Sequence, residues 1–128
     1  LSFICKTDPC TDSITNLPYP ERRTDNCDYT QDQKCDDLIS STWYKTEALM
    51  LDHCPQKSSC GALYPIWLDG QEPSVSEGAV VRTACLVGSS CCDRTYNIKI
   101  KNCTSFQAYC LPSTTGCPER YCFGNFIQ

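Results

Sequence analysis

His53 is the residue that first suggests chemistry, because it lies between Asp52 and Cys54. An imidazole beside a thiol and a carboxylate could form an acid–base or nucleophilic site. Such a site also needs hydrogen-bond geometry and a third group that orients the base, and adjacency in sequence supplies neither. The chain contains one histidine and no Gly-x-Ser-x-Gly segment. We therefore predict that His53 is a surface side chain and that the protein has no catalytic residue and no cofactor.

Cysteine is the most informative residue type, with 13 copies among 128 residues. Cytosolic thiols are kept reduced, so this usage predicts a secreted, extracellular, disulfide-rich protein. Zinc sites need close cysteine pairs, and the spacings here are mostly longer, so no metal is expected. Spacing does not assign the disulfide pairs. The adjacent Cys91 and Cys92 are expected to form two bridges that leave in different directions, because bonding them to each other would strain the backbone.

Acidic residues are concentrated at the start of the chain. Residues 1–40 hold eight acids and four bases, whereas residues 41–128 hold seven of each. This balance argues against nucleic acid as a partner, because such binding depends on cationic contacts to phosphate. Five aspartates could supply oxygen ligands to calcium, but their spacing fits no ordered calcium loop and predicts a solvated surface. They are Asp25, Asp28, Asp32, Asp36 and Asp37.

The elements that hold these residues are predicted to be mainly strands. Leu, Ile, Val and Phe total 24 of 128 residues, so disulfides must supply much of the stability of a single small domain. Tyr96, Ile98 and Ile100 alternate with Asn97, Lys99 and Lys101, the period of a half-buried strand. We predict a small disulfide-rich, mainly β domain over 35–128, with an acidic, irregular N-terminal arm over 1–34 stapled to it.

Other segments are less regular. Residues 79–84 and 62–68 are short apolar runs, and Pro65 is expected to make the second one an edge or a bend. Residues 46–53 are the only segment with a weak helical pattern. Trp43 and Trp67 are predicted to fill the core beside the disulfides. Arg94, Lys99 and Lys101 are expected to form the solvated side of the best strand, and no apolar run is long enough for membrane insertion.

An ordered set of anchors then resembles the eight-to-ten-cysteine extracellular domain of the uromodulin and pancreatic zymogen-granule membrane glycoprotein family. The anchors are Asp8-Pro9-Cys10, Cys35 followed by Trp43-Tyr44, Cys54, Cys60-Gly61, Pro65-Ile66-Trp67-Leu68-Asp69-Gly70 followed by Pro73, Gly78 to Cys85, Cys91-Cys92, Cys103, and Cys117 to Tyr121-Cys122. The resemblance covers about residues 8 to 124.

The resemblance divides the cysteines into two groups. Ten fall on the family pattern and are the expected disulfide framework: Cys10, Cys35, Cys54, Cys60, Cys85, Cys91, Cys92, Cys103, Cys117 and Cys122. Cys54 would then be oxidised and unable to act as a thiolate. Cys5, Cys27 and Cys110 are additions, and three cysteines cannot all pair within one chain. Either two of them bridge and one stays free, or one links to another molecule, which makes a disulfide-linked homodimer our hypothesis.

Glycosylation is the other feature in which the chain departs from the family. The family often carries an N-glycan at Asn-Gly-Thr after the Trp-Leu motif, where this chain has Asp69-Gly70-Gln71. Its Asn-x-Thr pattern is Asn102-Cys103-Thr104, so Asn102 is the candidate acceptor.

The resemblance implies a non-catalytic recognition or adhesion function with a protein or glycan partner. A second interpretation is a secreted effector, such as a venom component, a pheromone-like signal or a secretion protein, that blocks a receptor. A carrier of a pigment or another small ligand would need a concave apolar pocket that a sequence does not reveal. A hydrolase would require an activity that survives full oxidation and is lost when His53 is replaced.

Overall fold

Strands form the regular structure of the part of the chain that the computed structural model describes, residues 5–11, 14–18, 23, 35–37, 39–46 and 48–126. The strands in these ranges are β1 (Thr15–Asn16), β2 (Thr42–Lys45), β3 (Ala48–Met50), β4 (Tyr64–Asp69), β5 (Val80–Leu86), β6 (Arg94–Asn102), β7 (Gln107–Leu111), β8 (Glu119–Tyr121) and β9 (Phe123–Phe126). Val75–Glu77 forms one 3-10 turn, and the described residues contain no α-helix. The prediction of a small, mainly β, disulfide-rich domain is confirmed.

Two sheets are built from these strands. Seven strands form one sheet in the order β1-β2-β7-β6-β5-β4-β8, and β3 pairs with β9 in a two-stranded sheet. The five inner strands run antiparallel to their inner neighbours. The short end strands pair in parallel, β1 with β2 and β8 with β4.

Strand β6 confirms the clearest prediction from the sequence. Ile98 and Ile100 are fully buried, whereas Asn97, which directly precedes Ile98 on β6, is exposed. Successive side chains of a strand point to opposite faces, so the alternation in sequence becomes one apolar face and one polar face. β6 pairs along its length with β5 and with β7, which places this alternation at the centre of the large sheet.

The core lies on one face of the large sheet, which we call the covered face. Residues directly opposite each other on paired strands share a face, so Tyr109 of β7 lies beside Tyr44 and Ile100. The two-stranded sheet packs on this face through Met50 and Phe123, which belong to the same buried cluster. The ring of Phe123 meets that of Tyr109 edge-on, at 5.0 Å between centroids.

Two expectations about local structure are wrong. The weak helical pattern over 46–53 contains strand β3, because Met50 packs into the core while the backbone pairs with β9. The segment with Pro65 is an inner strand, β4, with β5 on one side and β8 on the other. Proline is tolerated because the β4–β5 register begins one residue later, at Ile66, and the carbonyl of Pro65 still accepts the N–H of Val87 at 2.8 Å.

The N-terminal 34 residues are only partly described. Residues 5–11, 14–18 and 23 are placed, so the predicted irregular arm lies largely outside the described residues. Arg23 is fully buried and paired with Asp36. This contact corrects the expectation for Asp36, which is an interior ion-pair partner instead of a solvated aspartate. Asp25, Asp28 and Asp32 lie outside the described residues.

Candidate binding face

Six disulfides determine which parts of the sheet are covered. The pairs are Cys5–Cys110, Cys10–Cys103, Cys35–Cys117, Cys54–Cys91, Cys60–Cys122 and Cys85–Cys92. The ten cysteines of the family pattern thus pair with one another, and two of the three additions form a bridge. Cys91 and Cys92 leave in different directions, as expected. Cys27 lies outside the described residues.

The first cover lies over the second face of the large sheet, opposite the covered face. Trp43, Ala108 and Cys110 form a buried cluster there, and Cys5 and Ile14 pack against it. The two disulfides from residues 5 and 10 hold this segment, and the Nε1 of Trp43 donates to the carbonyl of Thr7 at 3.1 Å. Trp43 is therefore a core residue, as predicted.

An ion pair also joins this first cover to strand β6. The Nζ of Lys101 lies 3.0 Å from Oδ1 of Asp8, and the backbone N–H of Cys10 donates to the same oxygen at 3.0 Å. The Cys10 hydrogen bond and then the Lys101 ammonium lower the pKa of Asp8. Lys101 is thus engaged by the N-terminal segment.

The second cover lies at the other side of the same face. Leu51, Cys60 and Cys122 form a buried cluster, and the partly buried Trp67 packs against it. The Nε1 of Trp67 donates to the carbonyl of Cys91 at 2.7 Å. Trp67 is therefore a half-buried contact between β4 and the disulfide-linked loop, and the prediction that it fills the core holds only in part.

Between the two covers, the described part of the chain leaves a strip of the sheet exposed or half-buried, and we call this strip the open face. It consists of Val81 and Thr83 of β5 with Thr95, Asn97 and Lys99 of β6. Val81 pairs with Lys99 and Thr83 pairs with Asn97, so these side chains lie side by side. Val81 is 56% exposed, one of two large apolar side chains exposed among the described residues. The combination of an exposed valine, small polar groups and one ammonium suits contact with another molecule better than an evenly charged surface would.

Arg94 was expected beside Lys99 and Lys101, and the structure places it elsewhere. Arg94 is two residues from Tyr96 and four from Ile98 along β6, so its side chain is on the covered face with theirs. Its guanidinium binds the carboxylate of Glu119, which also accepts the hydroxyl of Tyr96. The basic side of β6 therefore consists of Lys99 and Lys101 alone.

The other candidate residues do not assemble a reactive site. His53 is exposed, with its Nδ1 3.5 Å from Oδ1 of Asp52. Cys54 is bonded to Cys91 and does not titrate as a thiol. Among the described residues, no group of three or more histidine, cysteine or acidic side chains has the arrangement of a metal site.

Asn102 is at the end of β6 and is partly buried. Its Nδ2 donates to the carbonyl of Pro73 at 3.3 Å, and its Oδ1 accepts the N–H of Thr104 at 2.8 Å. Cys103 within the pattern is bonded to Cys10. Because the amide is engaged on both sides, a glycan would have to be attached before this region folds.

The open face was not identified from the sequence. Its residues are ordinary in type, and only the alternation of β6 indicated that Asn97 and Lys99 share a face. The covers depend on disulfide pairs that the sequence does not assign. The partly exposed strip between them is therefore visible only in three dimensions.

Comparison with known proteins places this arrangement in a family. A family model described as the uromodulin-like D8C domain matches residues 40–123, more than half of the chain. The chain belongs to the uromodulin-like D8C domain family. The matched range contains the strands from β2 to β8, including both strands of the open face, so the resemblance predicted from the anchors is confirmed.

The chain is similar to two kinds of protein, the pancreatic glycoprotein GP2 and uromodulin. The pancreatic secretory granule membrane major glycoprotein GP2 of Canis lupus familiaris is 34% identical over 121 residues, which is 90% of this chain and 23% of the relative. GP2 of Homo sapiens is 33% identical over 90% of the chain and 22% of the relative. Uromodulin of Mus musculus is 32% identical over 94% of the chain and 19% of the relative. The chain thus spans about a fifth of the length of these relatives. No helix within the described ranges has the length and apolarity needed to cross a membrane.

Proposed function

We propose that this uromodulin-like domain is a secreted, extracellular, non-catalytic recognition or adhesion module that binds a protein or glycan partner through the open face. The observation that carries the proposal is a partly exposed, mixed apolar and polar strip that the described residues leave between two covers held by disulfides. Disulfide-fastened covers hold the strip rigid, so binding would lose little conformational entropy. An oxidising compartment is required for the six disulfides that build it.

Two exposed valines allow a matched test of this face. Val81 and Val75 are both 56% exposed, but Val75 is in the 3-10 turn outside the open face. We would screen the oxidised protein on glycan arrays and secreted-protein arrays and measure the affinity for each hit. V81D should weaken binding at least tenfold, and V75D should leave it unchanged. Equal loss in both variants, or in neither, would show that the partner binds elsewhere.

The runner-up function is a secreted effector that blocks one receptor. The disulfide-linked scaffold and the open face support it equally, and the two functions differ in breadth of binding. An effector should bind cells saturably through one membrane receptor, whereas an adhesion module should self-associate or bind many surfaces. Competition of labelled protein by an excess of unlabelled protein on cells separates them.

We also propose that the protein forms a disulfide-linked homodimer through Cys27. The twelve described cysteines pair with one another, so Cys27 is left over by count. Wild type should migrate as a dimer without reductant and as a monomer with it, and C27S should migrate as a monomer in both lanes. A wild-type monomer in both lanes would refute the dimer.

Asn102 is the proposed acceptor for an N-glycan, added before Cys103 pairs. Amidase treatment of protein from secretory cells should lower its mass by one glycan, and N102Q should remove that shift. An unchanged mass in wild type would refute glycosylation at this site.

A further inference from the structure

One tyrosine hydroxyl joins three separate pieces of the fold. Tyr109 is fully buried at the centre of β7. Its hydroxyl accepts the backbone N–H of Met50 in β3 at 3.0 Å and donates to Oε1 of Glu72 at 2.9 Å. Glu72 belongs to the loop between β4 and β5. A single oxygen thus connects the large sheet, the two-stranded sheet and this loop.

The carboxyl group of Glu72 is poorly matched to its surroundings. Its Oε2 atom is buried and has no hydrogen-bond partner among the described residues. Burial raises the pKa of Glu72 to about 7 against the lowering effect of the Tyr109 hydrogen bond, and the Asp52 carboxylate (raising) and the Arg82 guanidinium (lowering) have smaller effects. Burying an unpaired carboxylate oxygen is costly, and burying the neutral carboxylic acid in the same place costs much less.

Apart from Glu72 and the buried Pro73, the loop is attached mainly through hydrogen bonds of its backbone carbonyls. The carbonyl of Gln71 accepts the Nε–H of the half-buried Arg82 at 3.0 Å, and the carbonyl of Pro73 accepts the side-chain amide of Asn102 at 3.3 Å. The 3-10 turn that follows buries none of its residues. Elements with few buried contacts are the ones that open locally at low free-energy cost.

We propose that Glu72 and Tyr109 form a proton-operated latch, in which the neutral Glu72 carboxyl holds the loop 70–79 against the core and its ionisation releases the loop. The charged groups that face this carboxyl are Asp52, after β3, and Arg82, on β5, and the Tyr109 hydroxyl meets it from β7. Ionised Glu72 gains hydration only by leaving its site. The loop, with the exposed Val75 on it, would therefore be more mobile at mildly alkaline pH than at acidic pH.

Amide hydrogen exchange of the oxidised full chain at pH 5.5 and pH 8.0, corrected for the intrinsic effect of pH, tests the latch. In wild type we expect the opening equilibrium of loop 70–79 to increase on the order of tenfold at the higher pH, below the roughly 30-fold ratio that the raised pKa allows between these two pH values. E72Q, which is neutral at both values, should show no increase. Equal opening in wild type at both pH values would overturn the proposal, as would an E72Q protein that keeps the increase.

Glu77 in the same loop offers a matched control. It is exposed, and the N–H of Ser74 holds its pKa below the ordinary value, so it stays ionised at both pH values. E77Q should loosen the 3-10 turn at both values and keep the tenfold pH effect. Titration of the Glu72 carboxyl carbon by NMR needs no variant. A midpoint near 7 supports the latch, and one near 4.5 refutes it.

Discussion

Arg23 and Asp36 are joined by two parallel hydrogen bonds in the interior, from Nη1 to Oδ2 at 2.7 Å and from Nη2 to Oδ1 at 2.8 Å. The backbone of Tyr121 in β8 contacts both side chains, accepting from Nη1 of Arg23 at 3.0 Å and donating to Oδ2 of Asp36 at 2.8 Å. This ion pair therefore attaches the N-terminal part of the chain to one edge of the large sheet.

Breaking this pair should destabilise the protein strongly. D36N leaves the buried guanidinium of Arg23 without its counter-charge, and we expect a loss of about 3 to 5 kcal/mol in the free energy of unfolding. Urea denaturation of the oxidised protein measures it. D8N, which weakens the surface pair with Lys101, is the control and should cost much less, because a solvent-exposed ion pair contributes little. Equal effects would mean that burial does not distinguish the two pairs.

The two N-terminal disulfides should contribute in a non-additive way. Cys10–Cys103 lies inside the loop that Cys5–Cys110 closes. While one of these bonds is intact, the other closes only the short ring made of residues 5–10 and 103–110, which is about 15 residues. Removing one by paired serine substitutions should cost about 3 kcal/mol, whereas removing both frees a long loop and should cost more than twice as much. Denaturant midpoints of the two double variants and the quadruple variant test this. Strict additivity would contradict the nesting.

Glu72 should make global stability depend on pH in a defined direction. Its pKa is raised from 4.5 to about 7, so the folded protein holds this proton more tightly than the unfolded chain does. The contribution of Glu72 to stability should therefore decline as the pH rises from about 4.5 through about 7, by up to about 3 kcal/mol, and level off above about pH 8. Urea denaturation of wild type and E72Q across this pH range isolates the contribution of Glu72, as the difference between their free energies of unfolding. A flat difference would contradict the prediction.

Tyr109 should contribute through its hydroxyl as well as its ring. Y109F keeps the edge-on contact with Phe123 but leaves the N–H of Met50 and the Glu72 carboxyl without this partner. We expect a loss of about 1 to 3 kcal/mol with the fold retained, as measured by thermal unfolding and near-ultraviolet circular dichroism. Y44F offers a comparison, because the hydroxyl of Tyr44 binds one carbonyl, that of Ser40.

Substitution on the open face should leave the fold intact. V81D places a carboxylate opposite Lys99 on an exposed position, so the free energy of unfolding should change by less than about 0.5 kcal/mol. A84D on the neighbouring covered face buries a charge and should prevent stable folding. If V81D also unfolds the protein, its effect on binding carries no information about the face.

The sequence predicts strand β6 well because its alternation is long and regular. It fails at Pro65, where tolerance depends on the register with β5, and at β3, where three residues are too few to show a period. The pairing of Arg23 with Asp36 and the burial of Glu72 depend on contacts between residues far apart in the chain. Local patterns contain no signal for either, so the interior charges and the covers of the sheet could not be predicted.

The bond from Cys5 to Cys110 also determines how the protein responds to tension. A pull applied on the N-terminal side of Cys5 passes through sulfur to β7 in the middle of the large sheet and does not peel β1 from its edge. If the opposite end of the chain is pulled on the C-terminal side of Cys122, the shortest covalent path between the two pulling points runs from Cys5 through the disulfide to Cys110. From there it follows the backbone to Cys122. Even without any folded structure that path extends to only about 50 Å, so the oxidised domain would lengthen far less under tension than the reduced chain.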